Sequence, residues 1–263
     1  MTEPRIGAQM FTLREFCQTP ADIAKTFARL RKIGFTAVQP SAAGFNDIPA
    51  EELKKLLDDH GLICAATHRP LDEIRDVERV ADYHKTLGCE FTAIGGFGFG
   101  GKPRAEWEAF AREYSLLGQQ CDRRGLRLGY HHHSHELAPF AEDPAEIDPL
   151  ENPMWLLARQ LDESVWFEID TYWIAHGGAD PAAWLRRLKG RAPAIHVKDM
   201  TVTADREHKM CEVGRGNLNW PAILAAAKDA GVKWYLIERD RGDLDPFDSL
   251  QISLENLQQM LAE

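Results

Sequence analysis

No run of apolar residues in this 263-residue chain approaches the ~20 needed to cross a bilayer, so no membrane-spanning segment is expected. The opening stretch, MTEPRIGAQMFTLREF, lacks a basic region followed by an apolar core, so no secretory signal is expected either. Cysteine is sparse: Cys17, Cys64, Cys89, Cys121 and Cys211 are dispersed, odd in number and without CxxC spacing. That pattern excludes a disulfide framework and a zinc ribbon, and points to free buried thiols in a reducing, cytoplasmic setting. A surplus of basic charge is also missing. Lys and Arg total 31 against 41 Asp and Glu, for a formal net charge of -10. With the cations scattered among acids, no basic stripe exists for a nucleic acid to bind. Finally, no linker, low-complexity tract or charge block divides the chain, and 44% of it is hydrophobic. A single domain over residues 1–263 follows.

What is present is alternation. Short apolar runs at 5–13, 36–41, 62–68, 91–97, 126–133, 165–170, 192–199 and 233–240 read as strands buried on both faces. Between them lie amphipathic helix patterns such as ADIAKTFARLRKIG, EELKKLLDDHG and PAILAAAKDAG. These stop at Gly34, Gly61, Gly125 and Gly231, and start near Pro20, Pro49, Pro181, Pro221 and Pro246. Eight strand–helix units in this length predict an α/β fold, the (β/α)8 TIM barrel, ahead of a doubly wound open sheet. The longest irregular stretch, 134–151, follows directly on YHHHSHE (130–136), where four of the ten histidines fall within seven residues.

The C-terminal ends of barrel strands carry the chemistry, and here they carry the polar residues. Strand three ends in His68, strand five in His131–His133 and then Glu136, strand six in Asp170. Strand seven holds His196, Lys198 and Asp199, and strand eight holds Glu238 and Asp240. Each has a bland reading. Asp170 could cap the next helix, His196 could be a core histidine, Glu238 could pair with Arg239, and Lys198 with Asp199. His131 and His133 share one strand face and His132 takes the other; His135 is expected to be exposed. Four successive strands delivering Glu, Asp or His to one rim are not explained by caps, and carboxylates with an imidazole suit Mn, Mg, Co or Zn. GGFGFGG (95–101) contains GxGxxG at Gly96, Gly98 and Gly101 but lacks the acidic residue closing a second strand about 20 residues on. It is therefore read as a loop over the barrel mouth.

Taken together, GAQMFTLRE, YHHHSHEL, FEIDTYWIAHGGADP, IHVKDM, VGRGNLNWPAIL and YLIERD resemble the blocks of the xylose-isomerase-like TIM barrel superfamily almost end to end. That superfamily includes sugar phosphate isomerases/epimerases, ketose 3-epimerases, inosose dehydratases and, more distantly, endonuclease IV. The resemblance implies a divalent metal held by Glu136, Asp170, His196 and Glu238. Ketose epimerases place their glutamate inside strand five, so His131 or His133 competes with Glu136 for that position. Arg215, in VGRG, stands where relatives commonly carry an acid.

The implied activity is a metal-dependent sugar isomerase or epimerase working by proton abstraction beside a carbonyl through an enediolate. A lyase or dehydratase acting on a 3-keto sugar, keto-glycoside or inosose is the alternative. A non-catalytic sugar-binding barrel and an endonuclease IV-like enzyme rank lower. Glu136 and Glu238 are the expected acid/base pair. His68, His131, His133, Trp173, Lys198 and Arg215 are expected at the substrate, with Trp166 a further stacking candidate. The expected partner is a small-molecule sugar or keto-sugar, with neither nucleic acid nor membrane, and a homo-oligomer is compatible with the chain.

Overall fold

The computed structural model describes residues 5–41, 43–98, 101–140, 145, 146 and 148–262. Its main sheet consists of nine parallel strand segments that occupy eight positions around a barrel. These are β1 (Arg5–Gln9), β2 (Ala37–Gln39), β3 (Ile63–Cys64 and Thr67–His68), β4 (Phe91–Ile94), β5 (Arg127–His131), β6 (Trp166–Asp170), β7 (Ala194–Val197) and β8 (Trp234–Ile237). The third strand is divided. Its first piece pairs with β2 and its second with β4. The junction is carried by Ala65 N–H to Val38 O (2.9 Å) and His68 N–H to Pro40 O (3.0 Å). β1 pairs with both β2 and β8.

Helices follow the strands: α1 (Pro20–Ile33), α2 (Ala50–Asp59), α3 (Val77–Leu87), α4 (Arg104–Asp122), α5 (Pro153–Gln160), α6 (Pro181–Arg187), α7 (Trp220–Ala230) and α8 (Pro246–Ala262). Their limits follow local chemistry. Thr19 caps α1 by accepting the Asp22 N–H, with Pro20 in the first turn. Gly231 ends α7 at φ 83°, a left-handed conformation that suits glycine. The strands are shorter than their apolar runs, because the polar residues beyond them belong to turns. Residues 10–13, expected as the end of strand one, belong instead to a 3-10 helix over Met10–Phe16. After β7 comes an antiparallel hairpin, Asp199–Val202 with His208–Cys211, that strand–helix alternation did not foretell.

Inside the barrel, period-2 alternation stacks side chains in layers. Trp166, Glu168 and Asp170 climb one strand; Ala194, His196 and Lys198 climb the next. The lower layer is apolar, built from Ala37, Phe91, Trp166, Ala194 and Trp234. Gly129 is required there, since a Cβ would collide with the Trp166 indole. Trp166 is thus core, its Nε1–H donating to Arg127 O (3.0 Å). The layers above it are polar. All five cysteines are free thiols, four of them buried, and burial pushes Cys17 up to about 12.

On the outer face, Thr67 Oγ1 meets His84 Nε2 of α3 at 2.7 Å, while His84 Nδ1–H donates to Val80 O at 2.6 Å. Burial holds His84 down to about 4, against an ordinary value of 6.5. The unfolded chain therefore binds a proton between pH 6.5 and 4 that the folded chain refuses. Stability from this site is full above pH 6.5 and falls toward pH 4 by up to about 3 kcal/mol. Urea unfolding at pH 7.5 and pH 5 should show that loss, and His84→Met should flatten the pH dependence. An unchanged slope in the variant would assign the acid sensitivity elsewhere.

Candidate metal centre

Three strand ends converge. Asp170, His196 and Glu238 each present one ligand atom, all within 4.8 Å of one another, and all three residues are buried. Register explains the meeting: Asp170 lies opposite His196 across β6–β7, and His196 opposite Leu236, two residues before Glu238, across β7–β8. For Asp170 and His196 the bland readings hold for one atom and leave the other atom to the site. Asp170 Oδ1 caps the short helix Thr171–His176 by accepting the Trp173 N–H (3.0 Å), leaving Oδ2 inward. His196 uses Nε2 in the core, against Gln39 Oε1 (2.8 Å), leaving Nδ1 inward. Glu238 does not pair with Arg239, which binds Glu212 and Leu244 O instead.

Lys198 Nζ stands among these carboxylates, 3.0 Å from Asp170 Oδ2, 2.8 Å from Glu238 Oε2 and 2.9 Å from Asp240 Oδ1. It does not pair with Asp199. Adjacent residues on an extended strand face opposite ways, and Asp199 instead accepts from the backbone of Met200, Gly214 and Gly216 and from Trp220 Nε1. Asp199 thereby fixes the VGRGNLNW loop. Arg215 within that loop is exposed and does not line the cleft.

Below the rim lies a second buried carboxylate, Glu168, which sequence reasoning passed over. Its Oε1 accepts from Gln39 Nε2 (2.7 Å), and its Oε2 meets His68 Nε2 (2.5 Å) and His196 Nε2 (3.2 Å). The signal was available: Glu168 shares the face of Trp166 and Asp170 by simple alternation. His131 joins this layer, its ring 4.5 Å from His196 and 5.2 Å from His68.

The histidine run is sorted by the same rule. His131 faces inward and His133 lines the cleft beside Trp173 (5.1 Å). His132 faces the other way, its Nε2 accepting the Asp170 N–H (3.1 Å). His135 is half-buried rather than exposed, 3.3 Å from Glu136. Glu136 is fully buried on the Tyr130 side of strand β5. Tyr130 Oη–H donates to its Oε1 (2.7 Å) and the His133 N–H to its Oε2 (2.9 Å). Tyr130 itself packs on Phe110 and Tyr114 of α4. Glu136 is therefore grouped with His133 and His135, and not with the strand-end residues Asp170, His196 and Glu238.

Electrostatics separate the carboxyls. Burial works to raise Asp170 and Glu238, but Lys198 and His196 outweigh it and hold both below the ordinary range. Burial and then the neighbouring Glu238 push Asp240 up to about 6. Burial raises Glu136 to about 7, against the opposing bonds from Tyr130 and His133. His196 is buried too, yet Glu168 and Glu238 raise it well above 6.5, whereas burial lowers His133 to about 3.

These residues fit a divalent cation. Asp170 Oδ2, His196 Nδ1 and Glu238 Oε2 are buried and lack hydrogen-bond partners, although they make close ionic contacts. Three carboxylates, from Asp170, Glu238 and Asp240, surround the Lys198 ammonium, and a fourth, Glu168, lies against His196 below them. One nitrogen and two oxygens suit Mn, Mg, Co or Zn. The centre opens into a cleft of about 280 Å³ lined by Gln9, Ser41, His68, Arg69, Lys198 and Asp240 among others. Arg69 is held there by the carbonyls of Phe45 and Asn46 and by Glu73. The loop at 134–151 is only partly among the described residues. Its Phe140 N–H is pinned to Glu151 O (3.0 Å). Of the glycine-rich loop, Gly96 lies against His133 and Glu136, and residues 99 and 100 fall outside the described set.

Residues 27–260 match the xylose isomerase-like TIM barrel family, and the chain belongs to it. Among curated proteins it is similar to an inosose dehydratase of Lacticaseibacillus casei, 28% identical over 160 residues, 54% of this chain and 51% of that protein. The chain thus spans about half the length of that relative. Among solved structures it resembles a sugar phosphate isomerase/epimerase from Parabacteroides distasonis, with TM-score 0.78, 23% identity, and 98% and 94% of the two chains covered. It also resembles a xylose isomerase-like TIM barrel protein from Mycobacterium smegmatis in complex with magnesium, with TM-score 0.75, 15% identity, and 100% and 98% covered. At these identities the two structures speak for the fold. No helix among the described residues is long and apolar enough to cross a membrane.

Elemental analysis after manganese loading checks the ligand set. His196→Ala should lose most bound ion. Glu136→Gln should keep it, since Glu136 is committed to Tyr130 and His133. Loss of the ion in Glu136→Gln would mean that the strand-five segment folds back to complete the shell.

Proposed function

We propose that this chain is a divalent-metal-dependent enzyme that removes a proton beside the carbonyl of a sugar or keto-sugar. The observation carrying this reading is the buried cluster that joins Asp170, His196 and Glu238 to Lys198 and Asp240 at the floor of the cleft. Asp170, His196 and Glu238 would hold the ion. When bound, it polarises a carbonyl and adjacent hydroxyl and so acidifies the neighbouring C–H.

The protein's own groups then divide the work. Glu238 and Asp240 are neighbours with opposite tendencies, one held low by Lys198 and His196, the other raised to about 6. Carboxyls pushed apart in this way suit different roles. Glu238 is the better ligand and Asp240 the better-poised base, whereas Glu136 and Glu238 were the acid/base pair expected from sequence. Lys198, an ammonium with three donors, can follow charge developing on a substrate oxygen. His68 and His133, both lining the cleft, can hold hydroxyls, and Trp173 stands 5.6 Å from Lys198 Nζ as a wall for a sugar ring.

From the resulting enediolate, proton return to the neighbouring carbon isomerises, return to the opposite face epimerises, and loss of a β-oxygen eliminates. Isomerisation or epimerisation was the first expectation. Elimination has equal support, because the curated relative is an inosose dehydratase and Glu136, the expected second carboxylate, is turned to Tyr130. A non-catalytic sugar-binding role is the outcome if no substrate exchanges.

Proton NMR in deuterated water, with manganese-loaded protein and a panel of ketoses, keto-glycosides and inososes, tests the reading. Deuterium should enter the C–H beside a carbonyl, and the product should identify the reaction. Asp240→Asn should retain the ion and slow exchange by ~10²–10⁴-fold. Glu238→Gln should weaken both ion binding and exchange. Replacing all five cysteines with Ala or Ser should leave exchange intact. No exchange in any member of the panel would argue against the enzyme reading.

A further inference from the structure

Beneath the rim, Gln39 spans the barrel interior from β2 to β6 and β7. It is fully buried. Its Nε2 donates to Glu168 Oε1 (2.7 Å), and its Oε1 faces His196 Nε2 (2.8 Å). The directions of these bonds are fixed by elementary inventory. An ionised carboxylate only accepts, so the amide must turn its NH2 to Glu168. The amide oxygen is then left facing His196, and it too only accepts. Hence the proton of the His196 ring belongs on Nε2. The other nitrogen, Nδ1, lies 2.7 Å from Glu238 Oε2 and 3.6 Å from Asp170 Oδ2 and has no hydrogen-bond partner.

Resting on the metal-dependent reading above, we propose that Gln39 is a positioning residue: oriented by Glu168, it holds Nε2–H of His196 and so presents Nδ1 as the metal ligand. An imidazole ligand needs its second nitrogen fixed for its ring plane and tautomer to be set. Here the nearer acceptor, at 2.8 Å, comes from across the barrel, from a strand that contributes no ligand, while Glu168 Oε2 lies 3.2 Å from the same nitrogen.

The same bonds settle a competing interpretation. His68 Nε2, His131 Nδ1, Glu168 Oε2 and His196 Nε2 also lie within 4.8 Å of one another, a donor set zinc could accept. With the Nε2 proton committed to Gln39, His196 has no lone pair to offer there. The lower group is a hydrogen-bonded support, and the ion belongs in the upper one.

Zinc affinity measured by competition with a chromophoric chelator, together with long-range proton–nitrogen NMR of the histidine rings, tests the proposal. Gln39→Met keeps the length and removes both polar atoms. It should weaken zinc binding by roughly 10–100-fold. Glu168→Gln replaces the acceptor-only partner by an amide that can also donate, so Gln39 is no longer held in one orientation and zinc binding should weaken as well, by less than in Gln39→Met. In the zinc-loaded wild-type protein, His196 should show a proton on Nε2 and metal on Nδ1. That spectrum decides the matter even if Gln39→Met fails to fold. Zinc on Nε2, or wild-type affinity in folded Gln39→Met, overturns the proposal and leaves the metal reading standing. A wild-type protein that binds no zinc overturns both.

Discussion

Buried negative charge is the constraint around which this barrel is arranged. Glu168, Asp170 and Glu238 are almost wholly removed from solvent, with Asp240 beside them. Leaving an ionised carboxylate unpaired in such a place is far too costly for a folded domain. The chain answers with one ammonium, Lys198, three imidazoles and the Gln39 amide. That answer is incomplete in charge, and the deficit is concentrated where three ligand atoms point at one another. A divalent cation held there would complete it.

The rest of the architecture serves that arrangement. The apolar lower layer, closed by Trp166 against Gly129, keeps water from the underside of the cluster. Asp199 gathers the N–H groups of Gly214 and Gly216 from the loop after the hairpin, together with Met200 N–H and the Trp220 indole N–H, and so ties that loop to the end of the strand that delivers His196 and Lys198. His132, although outside the site, ties β5 to the Asp170 backbone. The division of labour between atoms of one residue is economical: Oδ1 of Asp170 caps a helix while Oδ2 faces the centre, and His196 splits its nitrogens in the same manner.

Much of this was legible in the sequence because both periodicities are strong. Apolar runs bounded by Gly and Pro located all eight barrel positions, and polar residues at strand ends picked out Asp170, His196, Lys198 and Glu238. What sequence could not place depended on direction in three dimensions. Glu136 was a fourth ligand only by family resemblance; it sits past the strand end, where the outward-facing Tyr130 donates to it. Arg215 looked like a pocket residue, but the bonds to Asp199 turn its loop outward. Glu168 was legible by alternation with Trp166 and Asp170, but Gln39 was hidden for a different reason. A lone amide on a three-residue strand carries no motif, and it acquires meaning only when the barrel closes and brings β2 opposite β6 and β7. The split of strand three and the hairpin after β7 likewise follow from closure and from the grip of Asp199, which no local pattern announces.

The central claim is that one divalent ion completes the charge balance of this cluster. Anomalous diffraction from crystals of the manganese-loaded protein tests it directly. The account predicts a single strong peak within bonding reach of Asp170 Oδ2, His196 Nδ1 and Glu238 Oε2, roughly 2.0–2.6 Å away, with Lys198 Nζ drawn toward Asp240. A peak among His68, His131 and Glu168 instead, or no peak with Lys198 still seated between Asp170 and Glu238, would contradict it.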